Sequence, residues 1–108
     1  MTQNREVVVF VTTKTASEAK KIGKTVVSEQ LAACVTILGT CQSLYRWDGK
    51  MQESSESLMM IKTTARGYQS LQKRIKALHS YAVPEIVAIS ITKGLPGYLD
   101  WIRKSVRK

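Results

Sequence analysis

Two long strand-like segments joined at Asp48-Gly49 constrain the fold of this 108-residue chain more than any other feature. Asp-Gly is a strong hairpin signal, because a type I′ turn needs a positive φ at both central positions. The first arm includes residues 33–38 and 43–47, and the second covers residues 50–64. Each arm, about 14 residues long, would reach about 45 Å, whereas a compact domain of this size has a radius of gyration of about 13 Å. We therefore expect the hairpin to extend beyond its own domain.

The tip of this hairpin is apolar and predicts an oligomer. Leu44, Tyr45, Trp47 and Met51 crowd a place where a monomer has little core to cover them. Long strands also expose unpaired backbone groups that another chain can cover or pair with. We assign Tyr45 and Trp47 to a subunit interface. The alternative is a kink near Gly39 that folds the hairpin back over the helices of its own chain.

Length and composition predict a single domain spanning residues 1–108, with residues 1–5 as a flexible tail. The apolar fraction of 44% is ordinary for a globular protein. No apolar run approaches the roughly 18 residues of a membrane span, and the start of the chain is too polar for a signal peptide. We expect a cytoplasmic protein. Cys34 and Cys41 would lie about 23 Å apart on one arm, which predicts free thiols.

The net charge of +9 raises the possibility of an anionic partner. The basic residues are scattered along predicted helix faces and gathered at the C-terminal end, a distribution typical of a solvated surface. Basic charge alone gives only salt-dependent, sequence-independent attraction to nucleic acids. We expect no membrane partner and consider a nucleic acid partner unfavoured.

The remaining segments complete a ferredoxin-like α+β fold. A β-branched strand at residues 7–11 precedes a helix that starts at the capping box Thr15–Glu18. Apolar spacing predicts further helices at residues 65–79 and 98–107, a strand at 85–92 and a turn at 93–97. The order is β-α-β-β-α-β with a long β2–β3 hairpin and an extra C-terminal helix.

The residues required by several uses of this fold are missing. The third strand lacks the aromatic side chains of an RNA-recognition motif. The segment after the first strand has neither the Cys-x-x-Cys of a metallochaperone nor a glycine-rich phosphate loop with an arginine. Glu53 and Glu56 are three residues apart, so they point to opposite faces of a strand and are poor candidates for an acid–base pair. We predict a protein that is not an enzyme.

The single histidine, His79, lies near the end of the predicted second helix, and its role has two interpretations. A histidine near a helix C-terminus is commonly a cap favoured by the helix dipole. Histidine is also the commonest metal ligand, so a metal or pocket role stays open.

Five segments in order closely resemble the CutA family of divalent-cation tolerance proteins. They are residues 31–35 (LAACV), 43–50 (SLYRWDGK), 59–63 (MMIKT), 79–86 (HSYAVPEI) and 98–101 (YLDW). The resemblance covers essentially all of residues 7–106. It implies a compact homotrimer, similar to the PII signalling proteins, in which the long hairpins pair with neighbouring sheets.

The resemblance also implies a link to tolerance of copper and other divalent cations. The family's proposed copper site has a cysteine at the end of the first strand and two adjacent histidines, where this chain has Val11, Leu78 and His79. His79 is therefore the predicted metal ligand, with copper or another divalent cation bound weakly.

Other matching residues are predicted to line a cleft between subunits, where they would suit a small anionic or metal-bound ligand. They are Cys34, Lys62, Tyr81, Glu85, Tyr98 and Trp101. Interface packing is the alternative role for these side chains. The first hypothesis is thus a metal-responsive trimer, and the second is a PII-like signalling or scaffold trimer that binds a small anion or a partner protein.

Overall fold

The structure, a computed structural model, describes residues 5–107. Its elements in chain order are β1 (Glu6–Thr13), α1 (Ala16–Ser28), β2 (Cys34–Trp47), β3 (Lys50–Thr64), α2 (Tyr68–Leu78), β4 (Ile86–Ser90) and α3 (Pro96–Ser105). The four strands form one antiparallel sheet in the order β2-β3-β1-β4. This arrangement confirms the predicted ferredoxin-like α+β fold with its long hairpin and added helix. The predicted flexible tail falls, apart from Arg5, outside the described residues.

One face of the sheet is covered by α1 and α2, and the main core lies between them. Val9, Val11, Met59 and Ile61 project from the two central strands and are completely buried. They meet the apolar stripes of the helices, whose buried members include Ile22, Val26, Leu71 and Ile75. Full burial of an aliphatic side chain stabilises a fold by about 1.5–3 kcal/mol. The helical spacing in the sequence therefore predicts the correct buried faces.

Gly23 allows α1 to approach the hairpin closely. A Cβ atom at this position would lie 3.2 Å from Cγ1 of Val35 on β2. That distance is tighter than ordinary van der Waals contact, so a larger residue would push the helix away from the strand. The helix thus fixes the base of the hairpin through a glycine in its buried stripe.

The hairpin itself forms as predicted. Its turn has positive φ angles at Asp48 (53°) and Gly49 (73°), and the ladder runs from the pair Trp47 and Lys50 back to Cys34 and Lys62. A shift of register between Leu38 and Thr40 places an irregularity at the position where the sequence allowed a kink. The molecule measures 44 Å along its longest axis, with a radius of gyration of 14.4 Å.

Large apolar side chains remain exposed at the hairpin tip and on the second face of the sheet. Leu44, Trp47 and Met51 at the tip are 61–72% exposed. On the second sheet face, Val87 and Ile89 are 48% and 58% exposed. Their strand register places them on the side opposite to the helix-covered core. The chain therefore has more apolar surface than its own helices cover.

Three predicted elements have corrected boundaries, and α3 also ends earlier than predicted, at Ser105. Helix α2 begins at Tyr68 and not at residue 65, because Gly67 donates its N–H to Thr64 in a turn. Helix α3 begins at Pro96, within the predicted turn, since a proline has no N–H to leave unpaired in the first helical turn. Strand β4 is limited to Ile86–Ser90 by the extent of its pairing with β1.

Within residues 5–107, no helix is both long enough and apolar enough to cross a membrane.

Candidate functional site

His79 follows the last turn of α2, and its ring is locked inside the chain. Its backbone N–H bonds to the carbonyl of Ile75, which makes it the C-terminal cap residue. The ring is completely buried, with Nε2 2.8 Å from the carbonyl oxygen of Thr12. Nδ1 accepts the backbone N–H of Tyr81 at 3.0 Å, so Nε2 carries the ring proton and donates it to Thr12. The ring thus holds β1 against the segment that follows α2, and it does not bond to the carbonyls of its own helix.

Glu18, on α1, lies beside His79 and accepts hydrogen bonds from the segments on either side of it. Its carboxylate accepts the backbone N–H of Ser80 at 2.8 Å and the Ser80 hydroxyl at 3.0 Å. It also accepts the backbone N–H of Lys14, and Thr15 Oγ1 accepts the N–H of Glu18. One half of the predicted capping box is therefore present, while the returning bond from Glu18 goes to Lys14 and not to Thr15. We call Thr12, Thr15, Glu18, His79 and Ser80 the Glu18–His79 corner.

The hydrogen bonds at this corner keep Glu18 ionised. Burial raises its pKa, but the two bonds from Ser80, with smaller contributions from His79 and Lys14, outweigh that effect. The pKa is therefore lowered from its ordinary value of 4.5. Glu18 Oε2 lies 3.7 Å from His79 Nδ1, so a cation at Nδ1 would have a carboxylate beside it. To bind there, it would have to displace the N–H of Tyr81.

A pocket of about 770 Å³ opens between the hairpin and the segment that follows His79. Tyr81 and Glu85, both predicted cleft residues, line it together with the predicted interface residues Tyr45 and Trp47. Glu56 lies within the same pocket and is only 8% exposed. The complete lining is Thr12, Lys14, Tyr45, Trp47, Gln52, Ser54, Ser55, Glu56, Tyr81, Ala82, Val83 and Glu85.

The hydroxyl of Tyr81 donates to Oε2 of Glu56 at 2.8 Å inside this pocket. Burial and the neighbouring Glu56 carboxylate raise the pKa of Tyr81 to about 12, with smaller effects from Tyr45 and Glu18. The phenol therefore stays protonated at neutral pH and remains a hydrogen-bond donor. Nearby, the hydroxyl of Ser54 donates to that of Tyr45 at 3.4 Å.

The other predicted cleft residues form a second cluster. Cys34 Sγ lies 3.7 Å from the hydroxyl of Tyr98, and the Tyr98 ring stacks on Trp101 with centroids 5.6 Å apart. The contact with Cys34, followed by burial, raises the pKa of Tyr98. Lys62 is the strand partner of Cys34, so the two side chains leave the same face of the sheet. Cys34 and Cys41 are both free thiols, as predicted.

The two clusters lie toward opposite ends of the sheet. His79 bonds to the carbonyl of Thr12, whereas Lys62 pairs with Val8, four residues earlier on β1. That separation corresponds to about 13 Å along the strand. One copy of the chain therefore does not bring the six predicted cleft residues together. The structure adds Glu56 and Glu18 to the site, and no local pattern signals their contacts, because their partners are 25 and 62 residues away.

A metal centre of several strong ligands is absent from the part of the chain that the structure describes. No three His, Cys, Asp or Glu side chains in residues 5–107 are placed to hold one ion. The predicted metal role of His79 stays a prediction, with Glu18 as the nearest second donor.

Comparison with known protein families identifies the family to which the chain belongs. Residues 7–105 match the family described as CutA1 divalent ion tolerance protein. The chain belongs to this family. Its relatives include a divalent-cation tolerance protein CutA of Thermus thermophilus, which is 46% identical over 100 residues. That match covers 93% of this chain and 97% of the Thermus protein.

Two further similarities agree with this CutA1 assignment. The chloroplastic protein CutA of Arabidopsis thaliana is 42% identical over 101 residues, which span 94% of this chain and 56% of the plant protein. The solved structure of the divalent cation tolerance protein from Thermus thermophilus superposes with a TM-score of 0.93 at 45% identity. It covers 94% of this chain and 99% of the other. The predicted family is thus confirmed, and membership supports a role in divalent-cation tolerance.

Proposed function

We propose that this CutA1-family chain acts as a cytoplasmic homotrimer that binds divalent cations or a small ligand and catalyses no reaction. The observation that carries the proposal is the separation of the predicted cleft residues into two incomplete clusters. If the cluster with Tyr81 and Glu85 of one subunit meets the cluster with Cys34 and Lys62 of the next, a cyclic assembly completes each cleft. Such a head-to-tail contact closes into a ring when its rotation is threefold.

The exposed apolar surface supports the same assembly. The hairpin tip and the second sheet face both expose large apolar side chains. The tip lines the pocket that contains Tyr81 and Glu85, and on the sheet Val8 pairs with both Ile89 and Lys62. Isolated soluble proteins rarely expose contiguous apolar patches of this kind. We assign both surfaces, with Tyr45 and Trp47 at the tip, to subunit contacts.

Copper is the proposed cation, and weak binding is proposed. Nδ1 of His79 and the carboxylate of Glu18 are the available donors, at 3.7 Å from each other. Val11 and Leu78 provide no ligand at the two neighbouring positions. A bound ion would also displace the Tyr81 N–H from Nδ1, which lowers the net affinity.

The composite cleft can be tested by complementation between defective subunits. A bacterium that lacks its own CutA protein is grown with added copper(II) while it expresses Glu85→Gln, Lys62→Gln, or both chains together. Each variant disables one cluster, so each alone should fail to restore growth. Mixed trimers contain a junction with an intact Glu85 and an intact Lys62, so co-expression should restore it.

The controls separate assembly from expression. Glu53→Gln, an exposed change outside both clusters, should restore growth as the unmodified chain does. A double variant that carries Glu85→Gln and Lys62→Gln should not be rescued by either single variant. Co-expression that performs no better than the single variants would contradict a cleft shared between subunits.

The second candidate is a PII-like signalling or scaffold trimer, and the 770 Å³ pocket is the observation that favours it. Pockets of about 300–1,000 Å³ are typical of small-ligand sites. In a completed cleft, the cluster around Lys62 is the part suited to an anionic group of a ligand. A thermal-shift screen of nucleotides and carboxylates tests this function, since a ligand that binds the folded state raises its apparent stability. No shift with any of them would favour a partner protein as the ligand.

A further inference from the structure

A second pocket, of about 390 Å³, lies between the start of α2 and the C-terminal segment. It contains Thr64, which pairs with Glu6 at the start of β1, whereas the pocket near the hairpin tip contains Thr12. Thr12 and Glu6 are separated by about 20 Å of strand. The complete lining is Leu31, Thr64, Arg66, Gly67, Ser70, Asp100, Arg103, Lys104, Val106 and Arg107.

Basic side chains dominate this lining. They are Arg66, which precedes α2, and Arg103, Lys104 and Arg107, which belong to α3 and the segment after it. Asp100 is the acidic member of the lining. The pocket therefore has an excess of positive charge, and its size depends on which of the cations are already paired.

Two of the four cations have counter-charges within the chain. Arg103 bonds to the carboxylate of Glu6 at 2.7 Å and to that of Asp100 at 3.4 Å. Lys104 lies 2.9 Å from the other oxygen of Asp100. These contacts neutralise two positive charges and fix the side chains of α3 at the edge of the pocket.

The other two cations, Arg66 and Arg107, are exposed and form no ion pair within residues 5–107. Glu29 is the acid that Arg107 influences, but its two oxygens already accept hydrogen bonds from Arg74 at 3.0 and 2.9 Å. Those bonds, and to a smaller extent the charge of Arg107, lower the pKa of Glu29. About two positive charges thus remain without a counter-charge beside one pocket.

The face of α3 that enters this pocket differs from the face assigned to the proposed cleft. Asp100, Arg103 and Lys104 follow the i, i+3, i+4 spacing of one helical stripe. Tyr98 and Trp101, which stack on each other, lie on a different stripe. The pocket is therefore separate from the residues that we assign to subunit contacts.

The start of α2 adds to the positive charge of the arginines. Gly67 and Ser70 line the pocket, and within residues 5–107 no side chain caps the helix at Gly67. The N-terminal end of a helix carries a partial positive charge. A Cβ atom at Gly67 would lie 3.3 Å from Cγ1 of Val106, so the C-terminal segment packs closely on this turn. Backbone packing thus holds the two sides of the pocket together.

We propose that this pocket binds a phosphate group, either free or esterified to a small organic molecule. A phosphate monoester carries about 1.5–2 negative charges at neutral pH, which matches the two guanidinium groups without a counter-charge. Guanidinium groups bind phosphate oxygens through two parallel hydrogen bonds. Arg66 and Arg107 are the assigned ligands, and Leu31 and Val106 form the apolar wall. The site lies outside the proposed cleft and goes beyond the proposed function.

Titration calorimetry with three anions at fixed ionic strength tests the proposal. They are inorganic phosphate, phenyl phosphate and benzoate, which carries a single negative charge. Both phosphates should bind, and benzoate should bind at least about tenfold more weakly, because it forms fewer hydrogen bonds to the guanidinium groups. Tighter binding of phenyl phosphate would identify an ester as the ligand, and equal affinity would identify free phosphate. Equal binding of benzoate and phenyl phosphate would overturn the proposal.

Variants of the two assigned ligands locate the binding. Arg66→Gln and Arg107→Gln should each weaken phosphate binding by about tenfold, the value of a hydrogen bond to a charged group. Both positions are exposed, so the variants should fold. Lys76→Gln removes one positive charge from the exposed surface of α2 outside the pocket, and it should leave the affinity unchanged. Equal losses in all three, or unchanged affinity in both arginine variants, would overturn the site.

A variant with the opposite expected effect sharpens the test. Asp100→Asn removes a carboxylate from the lining and releases Lys104, so it should strengthen phosphate binding. Weaker binding in this variant would contradict the proposal.

Nuclear magnetic resonance of the unmodified protein gives a location that does not depend on any variant. Added phosphate should shift the amide resonances of Gly67 and Ser70. Shifts at Lys62 and Tyr81 instead would place the anion in the proposed cleft and overturn this pocket. The absence of both shifts and binding heat would overturn it as well. Neither result would alter the complementation test of the shared cleft.

Discussion

The Glu18–His79 corner and the hairpin tip lie at the same end of the molecule, but they differ in whether the chain itself supplies partners for their side chains. At the corner, the ring of His79 is buried and Glu18 is partly buried, and both side chains have hydrogen-bond partners within the chain. Glu18 accepts from Ser80 and Lys14, and the ring of His79 bridges Thr12 and Tyr81. At the tip, Leu44, Trp47 and Met51 form regular backbone pairs but leave most of their apolar surface exposed.

Backbone pairing and side-chain burial are therefore separate requirements in this fold. The strand ladder is complete to the last pair at the tip, so the hairpin is well formed as secondary structure. What the tip lacks is a second layer, because a hairpin needs packing against another element to be stable. The corner should therefore respond to mutation within one chain, whereas the tip should respond through assembly.

The largest expected effect follows from shortening the tip. Deletion of residues 45–52, with the arms joined by a new turn, should convert the proposed trimer into smaller species. The core residues Met59 and Ile61 lie at the other end of the arm and should still fold. Light scattering should then give a mass near the 12.1 kDa of one chain. An intact trimer after this deletion would refute the role assigned to the tip.

A smaller effect is expected at the corner, from His79→Ala. Loss of the ring leaves the Thr12 carbonyl and the Tyr81 N–H without a partner, so the free energy of unfolding should fall by about 1–3 kcal/mol. Lys76→Ala, an exposed change on the same helix, should alter it by no more than about 0.5 kcal/mol. Chemical denaturation gives both values.

The same two variants test the proposed metal site. Copper(II) titrated in a non-chelating buffer should bind weakly to the unmodified protein and to Lys76→Ala, and should not bind to His79→Ala. Identical weak binding in all three proteins would show that His79 is not a copper ligand. The stability measurement would stand independently, because it depends on the hydrogen bonds and not on the metal.

Acidity should weaken the corner through Glu18. Its pKa is lower in the folded chain than its ordinary value of 4.5, so its ionised form stabilises the fold above that pH. This contribution should be lost as the pH falls through the folded-state pKa. Glu18→Gln should therefore cost about 1–2 kcal/mol at neutral pH, and the difference from the unmodified protein should shrink in acid. If the difference in unfolding free energy between the two proteins stayed constant from pH 7 to pH 3, this role would be contradicted.

The smallest expected effect concerns the start of α1. Thr15→Ala removes the hydroxyl that accepts the N–H of Glu18 and should cost about 1 kcal/mol, a typical value for an N-cap. Ser17→Ala, an exposed change in the same helical turn, provides the matched control and should be close to neutral. Equal effects of the two substitutions would show that the cap is not what stabilises this turn.

Much of the fold was accessible from local patterns. Asp48-Gly49 specifies a turn that few other residue pairs adopt, and the apolar spacing of α1 and α2 marks the faces that become buried. The boundary errors arose where local signals compete. Lys93–Gly97 contains both turn-forming glycines and a proline, and the proline began a helix because its missing N–H costs nothing there.

The candidate site was less accessible, because its contacts join distant parts of the chain. Strand spacing makes Glu56 a poor member of an acid–base pair, yet the fold places it against Tyr81, 25 residues later. The capping-box pattern accounts for Glu18 locally, while its bonds to Ser80 link α1 to a segment 62 residues away. No periodicity within a strand or helix predicts such a contact between distant residues.

The order of strands and helices and their apolar faces could be predicted from the sequence, because they depend on neighbours along the chain. Five matching segments in order indicated the family. The distribution of the predicted cleft residues over two clusters depends on how these elements pack. The packing encloses the ring of His79 in a hydrogen-bonded corner and sets the carboxylate of Glu56 against the hydroxyl of Tyr81. Burial and charge compensation depend on residues far apart in sequence, so they are settled where the elements pack.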